Sequence, residues 1–449
     1  MSALGELLLD CGVQVTGCDQ VWSSRLEVLR RRGMAVWAGH DAGDHTSSAG
    51  SVVYTAAMRR DHPEITMARS RGLTVVPRSL VLARLTRALP GVCIVGSHGK
   101  STVTALVACI LAHAGHDPGY LVGGVICGED RGGCAGSEGP IVMETDEFDR
   151  TIERVRPHLG VITNIEPEHL DVYRSLRGLT AAFGRFASRA TGGVVVWVES
   201  SSATPLNLPR IGHVTRCGLG EDADIRPVLT GQEGSRYRVS IRLPGAEVDA
   251  ALALQGVHNV SNATLAAAAA WRLGASAEAI SVGLSSYPGL ERRYELLARC
   301  GECELVTDYA HHPTEIRATL ATAAMQGKPV VAVFQPHLYS RTALLFEEFA
   351  RSFHAAERVL ITPIYAAREQ ALPHVSSALL VEAIRAQGVR ADYMADVGTL
   401  RGTLTPLVQS PVVIVFLSAG DLDGFARTFA GEVRPDAHNA GWESGGRAE

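Results

Sequence analysis

The sequence predicts an α/β protein built from three segments in series, and three observations carry that prediction. Short apolar runs alternate with amphipathic helical segments through most of the chain, which is typical of parallel sheets covered by helices. The chain has 449 residues, and at about 150 residues per domain this length suggests roughly three domains. Apolar residues make up 46% of the chain and charged residues 20%, a composition that can fill several hydrophobic cores.

The first segment, residues 1–89, is predicted to form a parallel sheet with helices on both faces. Apolar, β-branched runs predict strands at Val13–Asp19, Ala35–His40, Ser51–Ala57 and Leu73–Arg78. Helical periodicity predicts helices at Ser24–Arg32, Pro63–Arg71 and Ser79–Ala88. Pro90 and Gly91 then interrupt the pattern, and we place the first boundary there.

The second segment, residues 90–290, opens with a predicted strand at Val92–Val95, a glycine loop and a helix at Ser101–Ala114. Further strands are predicted at Ile141–Thr145, Gly160–Asn164 and Gly193–Val198. Apolar and polar residues alternate in Tyr237–Leu243, which indicates a small antiparallel meander. Two helices, Asn259–Leu273 and Ala277–Ser286, are predicted to follow.

The third segment, residues 291–430, returns to alternating strands and helices. Strands are predicted at Glu304–Asp308, Val330–Phe334, Arg358–Pro363 and Val412–Ser418. Helices are predicted at Pro313–Met325, Thr342–Ala355, Ser377–Gln387 and Gly398–Leu407. Residues 431–449 are polar and rich in glycine, so they are predicted to form a flexible tail.

Charge and cysteine content exclude several classes of protein. The formal charge is −5 and the isoelectric point is about 6.4, which lacks the basic footprint of a nucleic-acid binder. No apolar stretch approaches the ~20 residues that span a bilayer. Nine scattered cysteines indicate reduced thiols in a cytoplasmic protein. Cys300–Cys303 spells C-x-x-C, for which a zinc or redox role and a turn between strands are both open, and we favour the turn.

The sharpest local signal is the run Gly96–Thr102, between a buried strand and a helix. Backbone N–H groups at a helix N-terminus bind phosphate, Lys100 can neutralise phosphate charge, and Ser101 can ligate magnesium. A plain strand-to-helix turn is the alternative, and the context favours nucleotide binding. We expect Lys100 to be an exposed loop charge.

Polar residues also follow other predicted strands. Carboxylates in Glu144–Glu147 indicate a magnesium site beside that loop, the alternative being a solvated acidic turn. The run Thr163–Asp171 contains His169 and follows an apolar strand. Asp308–Pro313 and Gln335–Arg341 carry histidines and an arginine beyond strand ends. They favour an anion or amino-acid site over helix capping and packing.

Taken in order, these motifs resemble the Mur ligase family over about Met1–Gly424. The resemblance implies three domains: a truncated Rossmann-like N-terminal domain for a UDP substrate, a central P-loop ATPase domain and a C-terminal Rossmann-like domain for an amino acid. Those domains would correspond to residues 1–89, 90–290 and 291–430.

The resemblance also implies roles for individual residues. ATP would be bound by Gly96, Ser97, His98, Gly99, Lys100, Ser101, Thr102, Asn259, Asn262, Arg293 and Asp308. Metal would be held by Ser101, Glu144 and His169, and the catalytic residues would be Lys100, Glu144, His169 and Arg293. The amino acid would meet Tyr309, His311, His312, His337 and Arg341. The UDP end of the substrate would meet Asp19 and Thr55.

The implied reaction is ATP-dependent amide-bond formation between the carboxylate of UDP-N-acetylmuramate and L-alanine through an acyl phosphate, in peptidoglycan precursor synthesis. ATP and Mg²⁺ are the implied cofactors. The implied partners are small-molecule substrates, with no nucleic acid or membrane, for a cytoplasmic monomer or weak homo-oligomer. Two alternatives stay open: a ligase of this fold acting on a different carboxylate in a secondary pathway, and a non-catalytic nucleotide-binding paralogue. Intact Lys100, Glu144 and His169 count against the second.

Three positions depart from the family pattern. Met1–Leu4 corresponds to the end of a glycine-rich loop, so the first strand and that loop are missing, and we expect either a start upstream of Met1 or a substrate without UDP. Phe148 replaces a small hydroxyl residue beside the metal-binding acids, and Leu417–Asp421 replaces a more glycine-rich turn. A dehydrogenase is disfavoured because no G-x-G-x-x-G follows a predicted strand in the first segment.

Overall fold

The computed structural model describes residues 1–40, 49–166, 170–198, 213–233, 236–252, 254–367 and 369–434, to which all elements below belong. The chain divides into two units, Met1–Leu290 and Glu291–Glu449. The three domain ranges predicted from the sequence stay a prediction. Within the described ranges, no helix is both long enough and apolar enough to cross a lipid bilayer.

The N-terminal part of the first unit contains two separate pairs of parallel strands. Its elements are α1 (Ser2–Asp10), β1 (Thr16–Asp19), α2 (Ser24–Arg31), β2 (Ala35–Ala38), β3 (Ser51–Tyr54), α3 (Pro63–Ser70), β4 (Thr74–Pro77) and α4 (Arg78–Ala88). Strand β1 pairs with β2, and β3 pairs with β4. The expectation of one continuous sheet is therefore wrong for the described residues. The two pairs rest on different cores: Leu26, Leu29 and Met34 support the first, whereas Val53 of the second packs against the core of the sheet that follows.

A seven-stranded sheet forms the centre of the first unit, in the order β11-β10-β9-β5-β8-β6-β7. Its elements are β5 (Gly91–Val95), α5 (Lys100–His113), β6 (Gly119–Ile126), β7 (Arg131–Cys134), β8 (Ile141–Glu144), β9 (Leu159–Ile162), α6 (Leu170–Tyr173), α7 (Leu176–Ser188), β10 (Val194–Val198) and β11 (Val214–Gly218). Every residue of β5 is buried, and its neighbours β8 and β9 run parallel to it. The carboxyl ends of these three strands therefore meet at one edge, where ligands bind in α/β sheets.

The predicted antiparallel meander is confirmed as a three-stranded sheet, β12 (Arg226–Glu233), β13 (Arg236–Leu243) and β14 (Ala246–Leu252). Two helices follow, α8 (His258–Arg272) and α9 (Ala277–Ser286). The alanine-rich middle of α8 is buried in the same core as α5 and the meander, because small side chains let these layers approach closely.

The second unit is a six-stranded sheet in the order β15-β16-β20-β17-β18-β19. Its elements are β15 (Glu295–Cys300), β16 (Cys303–Asp308), α10 (Pro313–Ala324), β17 (Val330–Phe334), α11 (Tyr339–Leu344), α12 (Phe346–Ala350), β18 (Arg358–Ile361), α13 (Ser377–Ala386), β19 (Arg390–Tyr393), α14 (Val397–Leu404), β20 (Val413–Leu417) and α15 (Leu422–Val433). Cys300 and Cys303 pair across the β15–β16 hairpin, with Gly301 at φ +58°. The turn predicted for the C-x-x-C run is confirmed.

Two expectations for the second unit are corrected. The single helix predicted at Thr342–Ala355 is two short helices, since Leu345 leaves helical geometry at φ −110° and ψ 23°. The tail predicted from residue 431 starts too early, because α15 continues to Val433 around the buried Phe429 and Arg434 donates a hydrogen bond to the Leu297 carbonyl. Residues 435–449 lie outside the described ranges.

A buried carboxylate fixes α1 to the β6–β7 hairpin. Glu6 is fully buried, and its Oε2 accepts hydrogen bonds from the N–H groups of Gly132 and Gly133, each at 3.0 Å. Arg25 and Arg32 pair with the other oxygen, Oε1. A buried charge is tolerated only when it is paired and hydrogen-bonded, and Glu6 meets both conditions. We call Glu6, its two arginines and the two glycine amides the Glu6 latch.

Candidate active site

The loop between β5 and α5 has the backbone of a phosphate-binding turn. Gly96 has φ +136° and Gly99 has φ +82°, values that side-chain-bearing residues rarely adopt. A Cβ atom at Gly99 would collide with Oδ1 of Asn262, and one at Gly96 would collide with the Thr163 hydroxyl. Both glycines are therefore required by backbone conformation and by space. The loop delivers backbone N–H groups at the start of α5, where a helix attracts anions.

Lys100 is not the exposed loop charge that was expected. Its side chain is only 13% exposed, and its Nζ lies 3.0 Å from Glu147 Oε2. Nζ also donates to the Gly96 carbonyl at 2.6 Å, while the Gly96 N–H donates to Glu147 Oε1 at 2.8 Å. Glu147 lies just beyond β8, the neighbour of β5, so its carboxylate reaches the loop from the adjacent strand.

The charges of this pair support each other. Burial opposes the charge on Lys100, but Glu147, Glu144 and Asp146 outweigh it, so the pKa of Lys100 is raised. Burial raises the pKa of Glu147, against the opposing effect of Lys100. Lys100 is therefore a permanent cation at the loop.

Glu144 and Ser101 place two oxygen donors beside the phosphate loop. The Ser101 hydroxyl donates to Glu144 Oε2 at 2.7 Å, and the Gly123 N–H donates to the same oxygen at 2.8 Å. A hydroxyl and a carboxylate next to a phosphate site are the donors that Mg²⁺ prefers, so these residues fit that ion. Asp146, two residues after Glu144, forms an ion pair with Arg78 at 2.9 Å. Phe148, a residue that departs from the family pattern, is 48% exposed.

The loop after β9 holds the phosphate loop in place. Thr163 Oγ1 donates to the His98 carbonyl at 2.6 Å, and the His98 N–H donates to Asn164 Oδ1 at 2.8 Å. The Glu166 N–H donates to Ser97 Oγ at 2.9 Å. These contacts join the two motifs that the sequence indicated separately. His169, predicted as a metal ligand and catalytic residue, lies outside the described residues.

Helix α8 brings the two asparagines predicted to bind ATP, Asn259 and Asn262, against the same loop. Asn262 Nδ2 donates to Asn259 Oδ1 at 2.9 Å, and Asn259 Nδ2 donates to the Gln255 carbonyl at 2.6 Å. Both asparagines are buried, and Asn262 faces Gly99. Within the first unit, the structure therefore brings together Gly96–Thr102, Glu144 and these asparagines.

In the second unit, Asp308 is a buried acceptor for two backbone groups. Its oxygens accept from the Tyr294 and Ala310 N–H groups, both at 2.7 Å. Burial raises the pKa of Asp308 to about 6, against the opposing charge of Arg293. The Arg293 guanidinium lies 5.5 Å from the centre of the Tyr309 ring. Asp308, Arg293 and Tyr309 thus share one corner of the second unit.

Two of the predicted amino-acid-site histidines lie near each other and near an arginine. The rings of His311 and His337 are 6.2 Å apart, and His311 Nδ1 lies 2.8 Å from the Tyr309 carbonyl. Burial lowers the pKa of His311 to about 4, with Arg341 acting in the same direction and Glu315 opposing it. Burial, with Arg341 next, also lowers the pKa of His337. Both imidazoles are therefore neutral hydrogen-bonding groups beside a cation.

His312 has a different task from its neighbour. Its Nδ1 accepts from the Thr314 N–H at 3.3 Å, which caps helix α10, and Glu315 completes the capping box. The helix-capping interpretation left open from the sequence applies to this residue. A role for His312 in amino-acid binding stays a prediction.

Sequence reasoning missed a polar network after β20. Gln335 Nε2 donates to Asp421 Oδ1 at 2.7 Å, and the Ser418 hydroxyl donates to Gln335 Oε1 at 2.8 Å. The signal was available, because Gln335 falls in the run that carries His337, and Ser418 and Asp421 fall in the run Leu417–Asp421. Their role as supports is visible only when β17 and β20 are seen side by side.

The residues predicted to meet the UDP end of the substrate lie at strand ends. Asp19 ends β1, and its Oδ1 accepts from the Gln20 N–H at 2.7 Å. Thr55 follows β3, and its hydroxyl accepts from the Ala57 N–H at 3.4 Å. Both positions suit ligand contact, and their substrate role stays a prediction.

Three domain models of one family match the chain in order. They are the Mur ligase family catalytic domain at residues 1–89, the Mur ligase middle domain at residues 136–270, and the Mur ligase glutamate ligase domain at residues 292–420.

Curated relatives match nearly the whole chain. A UDP-N-acetylmuramate–L-alanine ligase of Hyphomonas neptunium is 37% identical, over 95% of this chain and 94% of its own length. A protein of the same name from Kineococcus radiotolerans is 37% identical, over 94% of this chain and 91% of its own length.

The fold is also found among solved structures. The crystal structure of the UDP-N-acetylmuramate–alanine ligase of Thermotoga maritima aligns with a TM-score of 0.82 at 25% identity, covering 96% of each chain. The predicted resemblance and the three-domain α/β fold class are confirmed by these matches.

Proposed function

The chain belongs to the Mur ligase family, and we propose that it joins the carboxylate of UDP-N-acetylmuramate to the amine of L-alanine, using ATP, in peptidoglycan precursor synthesis. The observation that carries the proposal is the first unit's site, in which the phosphate loop, Lys100 and the Ser101–Glu144 pair are assembled. Relatives of that name, 37% identical over nearly the whole chain, support the choice of substrates.

The chemistry needs charge neutralisation and positioning, without a protein nucleophile. A substrate carboxylate oxygen attacks the γ-phosphorus of ATP, the bond to ADP breaks, and an acyl phosphate forms. The amine of alanine then attacks the acyl carbon, and phosphate leaves. Lys100 supplies fixed positive charge at the phosphates, and the glycine loop supplies N–H donors.

Magnesium belongs to the proposal as the cation at this loop. Ser101 and Glu144 would hold it, and when bound it offsets charge on the transferred phosphoryl group. The Ser101 hydroxyl donates to Glu144 Oε2 at 2.7 Å, so the two ligand oxygens already lie next to each other. His169 is proposed as a ligand of a second metal, by resemblance alone.

The second unit is proposed to bind the amino acid. The planar fork of the Arg341 guanidinium matches a carboxylate, and His311 and His337 are neutral acceptors for the ammonium group. Arg293 and Asp308 are proposed to contact ATP. Asp19 and Thr55 are proposed to contact the UDP end of the sugar substrate.

The proposal extends to setting and partners. ATP and nucleotide-activated sugars are cytoplasmic metabolites, so the enzyme acts in the cytoplasm on small molecules, as a monomer or weak homo-oligomer. The net charge of −5 supports the exclusion of nucleic acid as a partner.

The test measures phosphate release and product mass with purified full-length protein. ATP, Mg²⁺, UDP-N-acetylmuramate and L-alanine together should give phosphate and a new product. The mass of that product should be the sum of the masses of the two acids minus one water. Omitting any one component should abolish both signals. ATP binding without turnover on any acid would favour a non-catalytic protein. Turnover with another carboxylate, and none with UDP-N-acetylmuramate, would favour a ligase of a different pathway.

A further inference from the structure

Three side chains with metal-binding atoms converge in the N-terminal part of the first unit. Cys18 lies on β1, His40 follows β2, and Glu64 is in the first turn of α3. Cys18 Sγ is 3.5 Å from His40 Nδ1 and 3.5 Å from Glu64 Oε2, and these two atoms are 3.4 Å apart. The three residues come from separate segments of the chain, so only folding brings them together.

These spacings match a zinc coordination shell. Tetrahedral Zn²⁺ has bonds of about 2.3 Å to sulfur and about 2.0 Å to nitrogen or oxygen. Those bonds set ligand-to-ligand distances of about 3.5 Å from sulfur to either partner and about 3.3 Å from nitrogen to oxygen. The Cys18–His40–Glu64 group has all three distances within a few tenths of an ångström of these values. Thiolate, imidazole and carboxylate are also the three ligand types that zinc accepts in proteins.

A reactive-thiol interpretation fits this group poorly. In a catalytic relay the histidine stands between the nucleophile and the acid, whereas here the Cys18 thiol donates directly to Glu64 Oε1 at 3.2 Å. Burial, followed by that hydrogen bond, raises the pKa of Cys18 to about 12, so without a cation the thiol stays protonated. A nucleophilic or redox-sensing cysteine needs the opposite shift.

We propose that Cys18, His40 and Glu64 form a three-ligand site for Zn²⁺, with the fourth position left to water. The ion forms its bond to the Cys18 thiolate as the thiol proton leaves to solvent, with no change in oxidation state. His40 contributes Nδ1 and Glu64 one carboxylate oxygen. None of these residues belongs to the phosphate loop or to the second unit.

The surroundings hold the ligands in place. The ring of His62 packs edge-on against that of His40, with centroids 5.0 Å apart. His62 Nδ1 also accepts from the Glu64 N–H at 3.4 Å and caps α3. The Gly39 N–H donates to the Asp19 carbonyl at 2.7 Å, which fixes the end of β2 beside the end of β1. Such supporting contacts typically orient metal ligands.

The site would join two parts that strand pairing leaves separate. Cys18 and His40 belong to the β1–β2 pair, whereas Glu64 belongs to the helix between β3 and β4. In the described part of the chain these two pairs share no strand-to-strand hydrogen bonds. Among the described residues, the core of the first pair consists of Leu26, Leu29 and Met34 with a few partly buried neighbours. A metal bridge turns binding free energy into stability, as it does in other small domains.

The test uses cobalt as a spectroscopic substitute for zinc in the full-length protein, with a non-thiol reductant. One equivalent of Co²⁺ should give the thiolate-to-cobalt charge-transfer band and the visible bands of tetrahedral cobalt, and Zn²⁺ should bleach both. A cation at Ser101 and Glu144 has no sulfur ligand, so it gives no such band. Zinc should also raise the thermal midpoint of the chelator-treated protein.

Matched variants assign the signal. Cys18→Ser should remove the charge-transfer band and weaken zinc binding more than about 100-fold, since even residues that only support ligands contribute 10–100-fold. Glu64→Gln should weaken zinc binding while keeping the band. The control is Cys11→Ser, which changes an exposed cysteine of the same region and should leave band and affinity unchanged.

Two results would overturn the proposal. One is a wild-type protein that shows no charge-transfer band at saturating Co²⁺, a result that needs no variant to fold. The other is a band that persists in Cys18→Ser.

Discussion

Replacing Lys100 with methionine should cost both activity and stability. The stability effect follows from Glu147, which is only 3% exposed and would lose its cationic partner. Removing one member of a buried ion pair typically costs about 3–5 kcal/mol. The Gly96 N–H still donates to Glu147, so we expect a loss near 3 kcal/mol for the first unit.

The stability loss should depend on pH in a defined direction. Burial raises the pKa of Glu147 above that of the unfolded chain, and loss of Lys100 strengthens that shift. The folded variant then binds a proton that the unfolded chain releases. Its stability therefore rises as the pH falls from 7 towards 5, and the deficit relative to wild type shrinks.

Calorimetry of the first-unit transition and the phosphate-release assay check both effects. Ligation should fall at least 100-fold in Lys100→Met, about 2.7 kcal/mol in barrier. The double variant Lys100→Met/Glu147→Gln should recover most of the stability and none of the activity. Lys328→Met, which removes a lysine from the second unit, is the control. A Lys100→Met protein as stable as wild type, or a double variant whose losses simply add, would refute the buried-pair reasoning.

Three further changes probe other contacts. Glu144→Gln should raise the Mg²⁺ concentration needed for half-maximal rate, because an amide is a weaker ligand for a hard cation; superimposable magnesium titrations would restore the solvated-turn interpretation. Arg341→Lys should raise KM for alanine more than KM for ATP, because the charge stays while the planar fork is lost; a selective rise for ATP would move Arg341 to the nucleotide site. Gly99→Ala should weaken ATP binding at least 10-fold by calorimetry, because φ is +82° and the new Cβ meets Asn262. Gly115→Ala introduces nearly the same φ strain, +83°, in open space beyond the other end of α5, so it should leave ATP binding unchanged; an equal loss in the two variants would show that the effect does not come from the phosphate loop.

The predictable part of the fold is the part written in local pattern. Val330–Phe334 was predicted with its observed bounds because five apolar residues in a row are buried on both faces. Strands β6 and β7 were missed because glycine disfavours strands. Backbone packs closely on those glycines: Gly132 lies against the Gly124 carbonyl of the paired strand, and Gly133 lies against the carbonyl of the distant Ala3. Contacts between residue 3 and residue 133 leave no mark on local periodicity.

The candidate site divides in the same way. Motifs at strand ends could be predicted, since parallel strands deliver their following loops to one edge. Pairings across that edge could not: Glu147 stood among several carboxylates with nothing to single it out as the partner of Lys100. His40 and Glu64 belong to none of the motifs that predicted function, and only the folded chain brings them to Cys18.

The Glu6 latch decides where this chain can be divided. A cut near residue 90 would leave α1 in one fragment and the β6–β7 hairpin in the other. The hairpin fragment would then contain two amide groups without their acceptor, each costing about 1–3 kcal/mol if it stays buried. The other fragment would expose a carboxylate between two arginines. A chimera between two relatives must therefore exchange α1, α2 and the hairpin together. More than a hundred residues separate Glu6 from Gly132, yet these segments depend on one another for their buried charges and amide groups.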